Sequence, residues 1–304
     1  MRALKAIGLY GIAIVVLGAL LAPWLFWAVR WMAVQVPLAR WLAGYPFRRV
    51  FSRSLMIVAF AGLWPLLRNV GIRSWNDLGY VPGCGWWKHS LIGLAIGLGS
   101  LVVALGVSVA LGTRSIALDR SAGEIASAVL RYALVGIVVA LIEETFFRGA
   151  LQGGLQREMD VTTAVILASL IYSALHFLKP RGAGISAGEV TWSSGFRCLG
   201  ELATRSFAGH DILVSLVTLF LVGCILGLAY ARTRALYLSI GIHAGWVLAN
   251  ESARWLRAGS IVDDVIAWPV LALLLVLVQW LCTAKLKPLG ISEPSISGRG
   301  ERST

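Results

Sequence analysis

Charged residues are scarce in this sequence. Asp, Glu, Lys and Arg make up 14% of its 304 residues, whereas hydrophobic residues make up 58%, and the mean hydropathy is +0.79. The stretch 90–112 carries no charged residue at all, and about 20 residues of helix are enough to cross a hydrocarbon core. A soluble domain has about a quarter of its residues charged. The shortage of charge therefore predicts an integral membrane protein.

Cysteine is also rare, and its spacing excludes two kinds of site. Cys84, Cys198, Cys224 and Cys282 are scattered, with no Cys-x-x-Cys pair, which argues against a zinc–thiolate site and against a disulfide framework. We interpret Cys224 and Cys282 as small core residues within spans. The sequence also lacks His-Glu-x-x-His, the signature of soluble zinc proteases.

The apolar residues form continuous runs. Backbone polar groups in lipid must be satisfied within helices or closed barrels, and continuous rather than alternating runs favour helices. We predict an all-α fold, a polytopic transmembrane helix bundle of about eight spans. The first span follows Arg2 and Lys5 like a signal peptide, but its long apolar run indicates an uncleaved anchor. The spans lie near 7–29, 50–67, 90–112, 126–150, 161–178, 212–231, 234–252 and 264–284.

Basic residues outnumber acidic ones. Lys and Arg total 27 against 15 Asp and Glu, a formal net charge of +12. Such an excess can mark a nucleic-acid-binding protein, but here the basic residues lie in loops and tails, where they fix topology and contact anionic lipid headgroups. We therefore expect the lipid bilayer as a partner and no nucleic acid. Basic residues on both faces define the topology weakly, with both termini favoured on the cytoplasmic side.

Three segments between or after the spans have distinct compositions. Residues 30–49 place apolar residues at helical spacing among basic ones, which predicts an amphipathic helix at the membrane interface. Residues 179–211 form the longest connection and are either a plain loop or a lid or surface-lying helix. The tail after Pro288 is rich in Ser, Gly and Pro and is predicted to be disordered.

Glycines recur four positions apart within the spans, which lets helix backbones approach closely. Helix packing explains most of these pairs. One pair flanks a histidine, so close approach there could also shape a site. The pairs are Gly93 and Gly97, Gly149 and Gly153, Gly223 and Gly227, and Gly241 and Gly245.

Two adjacent glutamates and an arginine interrupt the fourth apolar run. A carboxylate at membrane depth costs roughly 2.5–3.5 kcal/mol. Glu144 and Arg148 are four residues apart, so they share a helix face and can form an ion pair. Glu143 points about 100° away from Glu144. One carboxylate can thus be neutralised locally while the other stays available for acid–base chemistry, although a purely architectural ion-pair cluster would have the same spacing.

Two histidines lie in other apolar spans, His176 and His243. Each alone could be a hydrogen-bonded core histidine. Ionisable groups within a membrane face the bundle interior or a wet cavity, and commonly each other. We therefore predict that Glu143, His176 and His243 converge on one cavity. His89 and His210 lie near span edges and are predicted to be unrelated to the site.

Three chemistries fit this set of residues. In peptide hydrolysis, a glutamate activates water and a histidine stabilises the oxyanion. In metal-dependent hydrolysis, two histidines and a glutamate are ligands. In proton-coupled transport, glutamate and histidine form a relay. A carrier should also show repeated halves with broken helices, and no internal repeat is visible in the sequence.

At these residues the sequence resembles the CAAX protease and bacteriocin-processing (Abi) family of intramembrane glutamic endopeptidases, which includes the type II prenyl-protein endopeptidases. The motif Glu-Glu-x-x-x-Arg matches in full at 143–148. The Phe-x-x-x-His motif has Tyr172 in place of phenylalanine before His176. The His-x-x-x-Asn motif begins at His243, but residue 247 is valine. The resemblance covers roughly residues 126–252.

The resemblance implies a role for each of these residues. Glu143 would be the general base that activates water, assisted by His176. Glu144 and Arg148 would support it, and His243 would help to hold the oxyanion. The valine at 247 removes one expected donor, and Asn250, about two turns after His243, could replace it. No metal or other cofactor is expected.

We predict from this an intramembrane endopeptidase that hydrolyses a membrane-associated protein or peptide. It would lie in the bacterial plasma (inner) membrane. The alternatives are a non-proteolytic protein of the same fold, acting in immunity or beside a processing system, and a proton-coupled transporter. The chain divides into N-terminal spans with the interfacial helix at 1–125, a catalytic core at 126–252, and a last span with the tail at 253–304.

Overall fold

The computed structural model describes residues 2–83, 85–110, 112, 115–116, 120–177, 185–205 and 212–256, with positions 274, 277 and 280 of the predicted last span. Cys84, His210, Cys282 and the tail after Pro288 lie outside the described residues. Every regular element within the described ranges is helical, which confirms the all-α prediction.

The helices follow one another through short connections. Helix α4 continues directly into a π-helical segment, and two 3₁₀ segments occur at Pro37–Gly44 and Ala187–Glu189. The elements are α1 Arg2–Gln35, α2 Phe47–Asn69, α3 Trp86–Ala110, α4 Ala122–Glu144, the π segment Thr145–Gln152, α5 Gly153–Leu155, α6 Val161–Phe177, α7 Ser194–Arg205, α8 Ile212–Thr233 and α9 Tyr237–Trp255.

Seven of the eight predicted spans correspond to a helix. Five stretches are long and apolar enough to cross a membrane, and Val161–His176 is a shorter apolar helix. Helix α9 is less apolar because it contains His243, Asn250, Glu251 and Arg254. The five stretches are Leu4–Gln35, Phe47–Asn69, Trp86–Ala110, Ala122–Leu155 and Ser215–Thr233.

The prediction of one amphipathic helix over 30–49 was wrong. Helix α1 runs on to Gln35, and the chain then forms the 3₁₀ segment Pro37–Gly44 before α2 begins. Val36 is extended, with φ −118° and ψ 110°, because a residue before proline is disfavoured in the α region. Proline therefore separates the two helical pieces.

The long connection contains a helix rather than only a loop. Helix α7 lies against α1, where a Cβ on Gly195 would be 2.7 Å from the Ala19 carbonyl carbon. Its Cys198 is buried with Phe26, Phe47 and other apolar residues. Within 185–205, the described part of this connection, the structure thus forms a helix that packs against α1, and not only the loop that was one of the two predicted alternatives.

Helices α3 and α9 cross at four glycines. A Cβ on Gly241 would lie 3.0 Å from the Gly93 Cα, and a Cβ on Gly97 would lie 3.1 Å from the Gly245 Cα. Side chains at these positions would force the helices apart. The glycine pairs thus allow the close approach that their spacing predicts, and they fix the segment of α9 that carries His243.

The α2–α3 loop (residues 70–83) folds back against the helices. The Leu236 amide donates to the Gly79 carbonyl at 3.0 Å, and the Tyr237 hydroxyl donates to the Val81 carbonyl at 3.2 Å. Gly149 admits the loop, because a Cβ there would lie 2.8 Å from the Leu78 carbonyl oxygen. The loop is therefore fastened to the end of the bundle from which α9 starts.

Candidate active site

The two glutamates occupy the last turn of α4, where the helix changes to a π-helix. Glu144 ends the α-helical part and Thr145 begins the π segment. His176 is the second-last residue of α6, and His243 lies in the second turn of α9. Three helices that are distant in the sequence therefore bring these side chains to one place.

One half of the site is sealed inside the protein. The Glu144 side chain is 0% exposed and Arg148 is 2% exposed. Arg148 Nε lies 3.4 Å from Glu144 Oε2, and His243 Nδ1 lies 2.8 Å from Glu144 Oε1. Arg148 Nη2 also donates to the Gly223 carbonyl at 3.1 Å. The predicted Glu144–Arg148 pair is present, with a histidine as its third member.

The other half of the site is accessible. The Glu143 side chain is 27% exposed and that of His176 is 19% exposed. Glu143 Oε2 lies 3.4 Å from His176 Nε2 and 3.8 Å from His243 Nε2. The structure therefore brings together the three residues predicted to converge, and Glu143 is the more exposed of the two carboxylates.

The hydrogen bonds define the tautomers of both histidines. His176 Nδ1 lies 3.0 Å from the Tyr172 carbonyl oxygen, and His243 Nδ1 faces the Glu144 carboxylate. These oxygens only accept, so each Nδ1 must carry the proton that it donates. In a neutral ring Nε2 is then an acceptor. Both rings turn this acceptor toward Glu143.

Three acceptors consequently surround one point, namely Glu143 Oε2 and the two Nε2 atoms. Such a site attracts a molecule or group that supplies hydrogens, and water is the smallest one. The net charge of the cluster also favours the binding of a proton. Two carboxylates and one guanidinium leave one net negative charge, which is costly to bury. The cluster is thus suited to bind water and to accept one proton.

The π segment was not predicted from the sequence. Its register places Arg148 and Gln152 on one face, where they donate to the carbonyls of Gly223 and Gly227 at 3.1 and 2.9 Å. A Cβ on Gly227 would lie 2.8 Å from Gln152 Oε1. Single π-helical turns often occur at functional sites. Here the π segment joins α4 to α8 through the side chains of Arg148 and Gln152. The sequence analysis did not identify Gln152, because only Arg148 belongs to the motif.

Aromatic residues enclose the cluster on one side. The Tyr172 ring lies 4.1 Å from the His176 ring and 4.7 Å from the Arg148 guanidinium carbon. The Phe147 ring packs edge-on against Tyr172 at 4.9 Å. Tyr172 thus holds His176 through its carbonyl group and covers Arg148 with its ring.

The third sequence motif has a mixed outcome. His243 reaches the site, and Val247 packs beside α4, with its Cβ 3.5 Å from where a Gly136 Cβ would be. Val247 and Asn250 are both half-buried. His89, predicted to be unrelated, has its Nδ1 3.1 Å from the Gly85 carbonyl oxygen. The oxyanion roles of residues 247 and 250 stay predictions.

Metal ligation is the remaining chemical question. Within the described part of the chain, no group of three or more His, Cys, Asp or Glu side chains is arranged to hold a metal ion. Glutamate and histidine are residue types that zinc uses as ligands, so metal independence stays a prediction.

Residues 125–249 match the family described as Type II CAAX prenyl endopeptidase Rce1-like. The matched range contains all five predicted site residues. No curated protein and no solved structure matches the chain.

Proposed function

Since residues 125–249 of this chain match the Rce1-like family of type II CAAX prenyl endopeptidases, we propose that the protein is an intramembrane endopeptidase. In this proposal it hydrolyses a peptide bond of a membrane-associated protein or peptide, using water activated by Glu143. The family and the apolar helices support an integral membrane protein. We also propose that the membrane in which it lies is the bacterial inner membrane.

One observation supports the mechanism most directly: of the two carboxylates in the cluster, Glu143 is partly exposed and Glu144 is sealed. Glu143 lies 3.4 and 3.8 Å from two histidine nitrogens, whereas Glu144 is sealed and already paired. A general base must be within reach of the proton that it removes. Glu143 meets this condition for a water molecule at the mouth of the site, and Glu144 does not.

The first step is attack by water. One O–H of the water donates to the Glu143 carboxylate, and the other can donate to Nε2 of His176. Glu143 takes the first proton while the water oxygen bonds to the peptide carbonyl carbon. The carbonyl π electrons move to oxygen and form a tetrahedral oxyanion. His176 orients the water because its own Nδ1 is fixed on Tyr172.

The second step needs a donor to the oxyanion. His243 can donate from Nε2 only as an imidazolium, since its Nδ1 proton is directed at Glu144. Glu144 stabilises that cation, and Arg148 balances the remaining charge. The proton held by Glu143 then passes to the nitrogen of the scissile bond. The C–N bond breaks, which releases an amine and a carboxylic acid.

No step of this mechanism requires a metal, and no nucleic acid has a role. The lipid bilayer surrounds the helices, and the substrate reaches the site from it or from its surface. The substrate residue that precedes the cleaved bond is not assigned. Because the matched family is described as a CAAX prenyl endopeptidase, the first substrate to test is a prenylated peptide with a C-terminal CAAX sequence.

The decisive experiment compares the wild type with Glu143→Gln in liposomes, on a farnesylated CAAX peptide that carries a fluorophore and a quencher. We expect the substitution to lower kcat by at least about 10³-fold, because a general base contributes about 10²–10⁴ and glutamine also removes the charge. The thermal midpoint should change little, since Glu143 is partly exposed. Mass spectrometry of the products locates the cleaved bond.

Two outcomes would contradict the proposal. Equal cleavage by the wild type and Glu143→Gln would exclude Glu143 as the base that activates water. Stoichiometric zinc by elemental analysis, with activity lost on chelation and restored by zinc, would replace the glutamate mechanism with a metal-dependent one.

A further inference from the structure

Tyr80, which no sequence motif includes, lies next to the paired glutamates. It belongs to the α2–α3 loop, and its hydroxyl lies 2.6 Å from Thr145 Oγ1. Thr145 is the residue after Glu144 and the first of the π segment. A loop residue 65 positions away in the sequence therefore contacts the backbone segment that carries both glutamates.

The direction of this hydrogen bond follows from a second one. Thr145 Oγ1 donates its single hydrogen to the Leu141 carbonyl at 2.5 Å, and a carbonyl oxygen cannot donate. The Tyr80 hydroxyl must then donate to Thr145. The chain Tyr80 to Thr145 to Leu141 is directed, with the tyrosine at its origin.

This series of hydrogen bonds lies where the helix changes from α-helical to π-helical hydrogen bonding. The Thr145 amide also bonds to the carbonyls of Leu141 and Ile142. A Thr hydroxyl that bonds to the carbonyl four residues earlier competes with the helix and bends it. The Thr145 hydroxyl thus lies at the α-to-π change, with the two glutamates directly before it and Arg148 after it.

The loop can hold Tyr80 firmly because it is anchored on both sides of this residue. The Leu236 amide donates to Gly79, and the Tyr237 hydroxyl donates to Val81. The rings of Tyr80 and Tyr237 also pack edge to face, with centroids 6.3 Å apart. Tyr80 is therefore presented to Thr145 by a fixed backbone rather than by a free side chain.

We propose that Tyr80 is a positioning residue of the active site, acting through Thr145 on the orientation of Glu143 and Glu144. Its hydroxyl bonds to Thr145 rather than to either carboxylate. The inference rests on the proposed glutamate mechanism for its kinetic consequence, but its structural part concerns the glutamate–histidine cluster itself.

The chain offers a matched control. Tyr237→Phe removes a tyrosine hydroxyl that anchors the same loop but does not bond to the π segment. Tyr80→Phe and Thr145→Val each remove one member of the directed chain, and Thr145→Ser keeps the hydroxyl. All four variants and the double variant Tyr80→Phe/Thr145→Val are compared in liposomes.

Two readouts are measured. The first is kcat and KM on the farnesylated CAAX peptide. Because small misplacements of catalytic groups lower rates strongly, we expect kcat to fall about 10-fold in Tyr80→Phe and in Thr145→Val, with KM unchanged. The double variant should be no slower than Thr145→Val, Thr145→Ser should recover activity, and Tyr237→Phe should match the wild type.

The second readout does not need a substrate. The chain has four histidines, so ¹⁵N NMR of histidine-labelled protein gives few ring signals. Tyr80→Phe and Thr145→Val should shift the signals of His176 and His243, which face Glu143 and Glu144, whereas Tyr237→Phe should not. If the wild type does not cleave the CAAX peptide but these shifts appear, the positioning role stands and the proposed CAAX substrate is excluded.

Unchanged ring signals in Tyr80→Phe would overturn the inference, whatever the activity. Equal shifts in Tyr80→Phe and Tyr237→Phe would also overturn it, because they would show a general effect of loosening the loop. Additive kinetic losses in the double variant would show that Tyr80 and Thr145 do not act through one another.

Discussion

Two arginine–carboxylate pairs in this protein have nearly the same N–O distance and opposite surroundings. Arg148 lies 3.4 Å from Glu144, and both side chains are at most 2% exposed. Arg157 lies 3.3 Å from Asp77, and their side chains are 40% and 35% exposed. The two arginines are nine residues apart on one stretch of chain, yet one pair belongs to the candidate active site and the other holds a surface loop.

The difference shows that burial, not distance, decides what such a pair does. Removing one partner of a buried pair leaves an uncompensated charge and costs about 3–5 kcal/mol, whereas an exposed pair contributes about 0–1 kcal/mol. The buried Glu144 also holds His243 in one tautomer. The exposed pair can only hold the α2–α3 loop, through Asp77 and the Gly71 carbonyl.

The largest effect on stability is expected from breaking the buried pair. Arg148→Met should lower the free energy of unfolding by about 3–5 kcal/mol and abolish cleavage, because Glu144 loses its cation and the Gly223 carbonyl loses its donor. Thermal unfolding in detergent and peptide cleavage are the measurements.

The double variant Glu144→Gln/Arg148→Met separates charge from packing. Replacing both members of a buried pair with groups of similar volume is often neutral, and a glutamine oxygen can still accept from His243. We expect stability to recover largely and activity to stay lost. A double variant as unstable as Arg148→Met alone would show that packing, not the unpaired charge, causes the loss.

A smaller effect is expected one turn from His243. If Val247 borders the reacting carbonyl, Val247→Asn supplies a donor, and one oxyanion donor is worth about 10²–10³ in rate. Since valine now packs beside Gly136, part of that gain should be lost, and we expect kcat to rise by about 10-fold. Asn250→Ala should lower kcat if Asn250 replaces the missing donor. Neutral results for both variants would leave His243 as the only oxyanion donor from this helix.

Local spacing predicted the buried pair and not its surroundings. Residues four apart on a helix are neighbours, so the spacing predicts that Arg148 contacts Glu144 and that Glu143 points elsewhere. The convergence of His176 and His243 on Glu143 followed from the cost of isolated polar groups in lipid. Such reasoning names the members of a cluster but not which histidine nitrogen faces which oxygen.

The π segment and the α2–α3 loop could not be predicted in this way. An α and a π turn differ by one residue in hydrogen-bond register, and residues 145–152 favour neither by composition. Tyr80 reaches Thr145 across a contact of long sequence separation, for which no local pattern exists. The nearest signal is Gly149, whose lack of a side chain admits the Leu78 carbonyl, but a glycine does not identify what approaches it.

The smallest effect is expected at the exposed pair. Arg157→Met should change the free energy of unfolding by at most about 1 kcal/mol, and the change should shrink in 1 M salt because screening acts on exposed charges. A loss as large as that of Arg148→Met would contradict the distinction between the two pairs.

Asp77 adds a pH signature to the same pair. The Arg73 backbone amide, then Ser74 and the Arg157 charge, lower the pKa of Asp77 below its usual value. A carboxyl with a lowered pKa in the folded state contributes stability above its unfolded pKa, about 3.9, and loses it as pH falls through the folded value.

Asp77→Asn should therefore lower the thermal midpoint slightly at pH 7, and its difference from the wild type should narrow as the pH falls below about 4. Because the carboxylate is exposed, the free energies of unfolding of the two proteins at pH 7 should differ by at most about 1 kcal/mol. A difference that stays constant from pH 7 to pH 3 would show that the shape of the asparagine, and not the lost charge, causes the change.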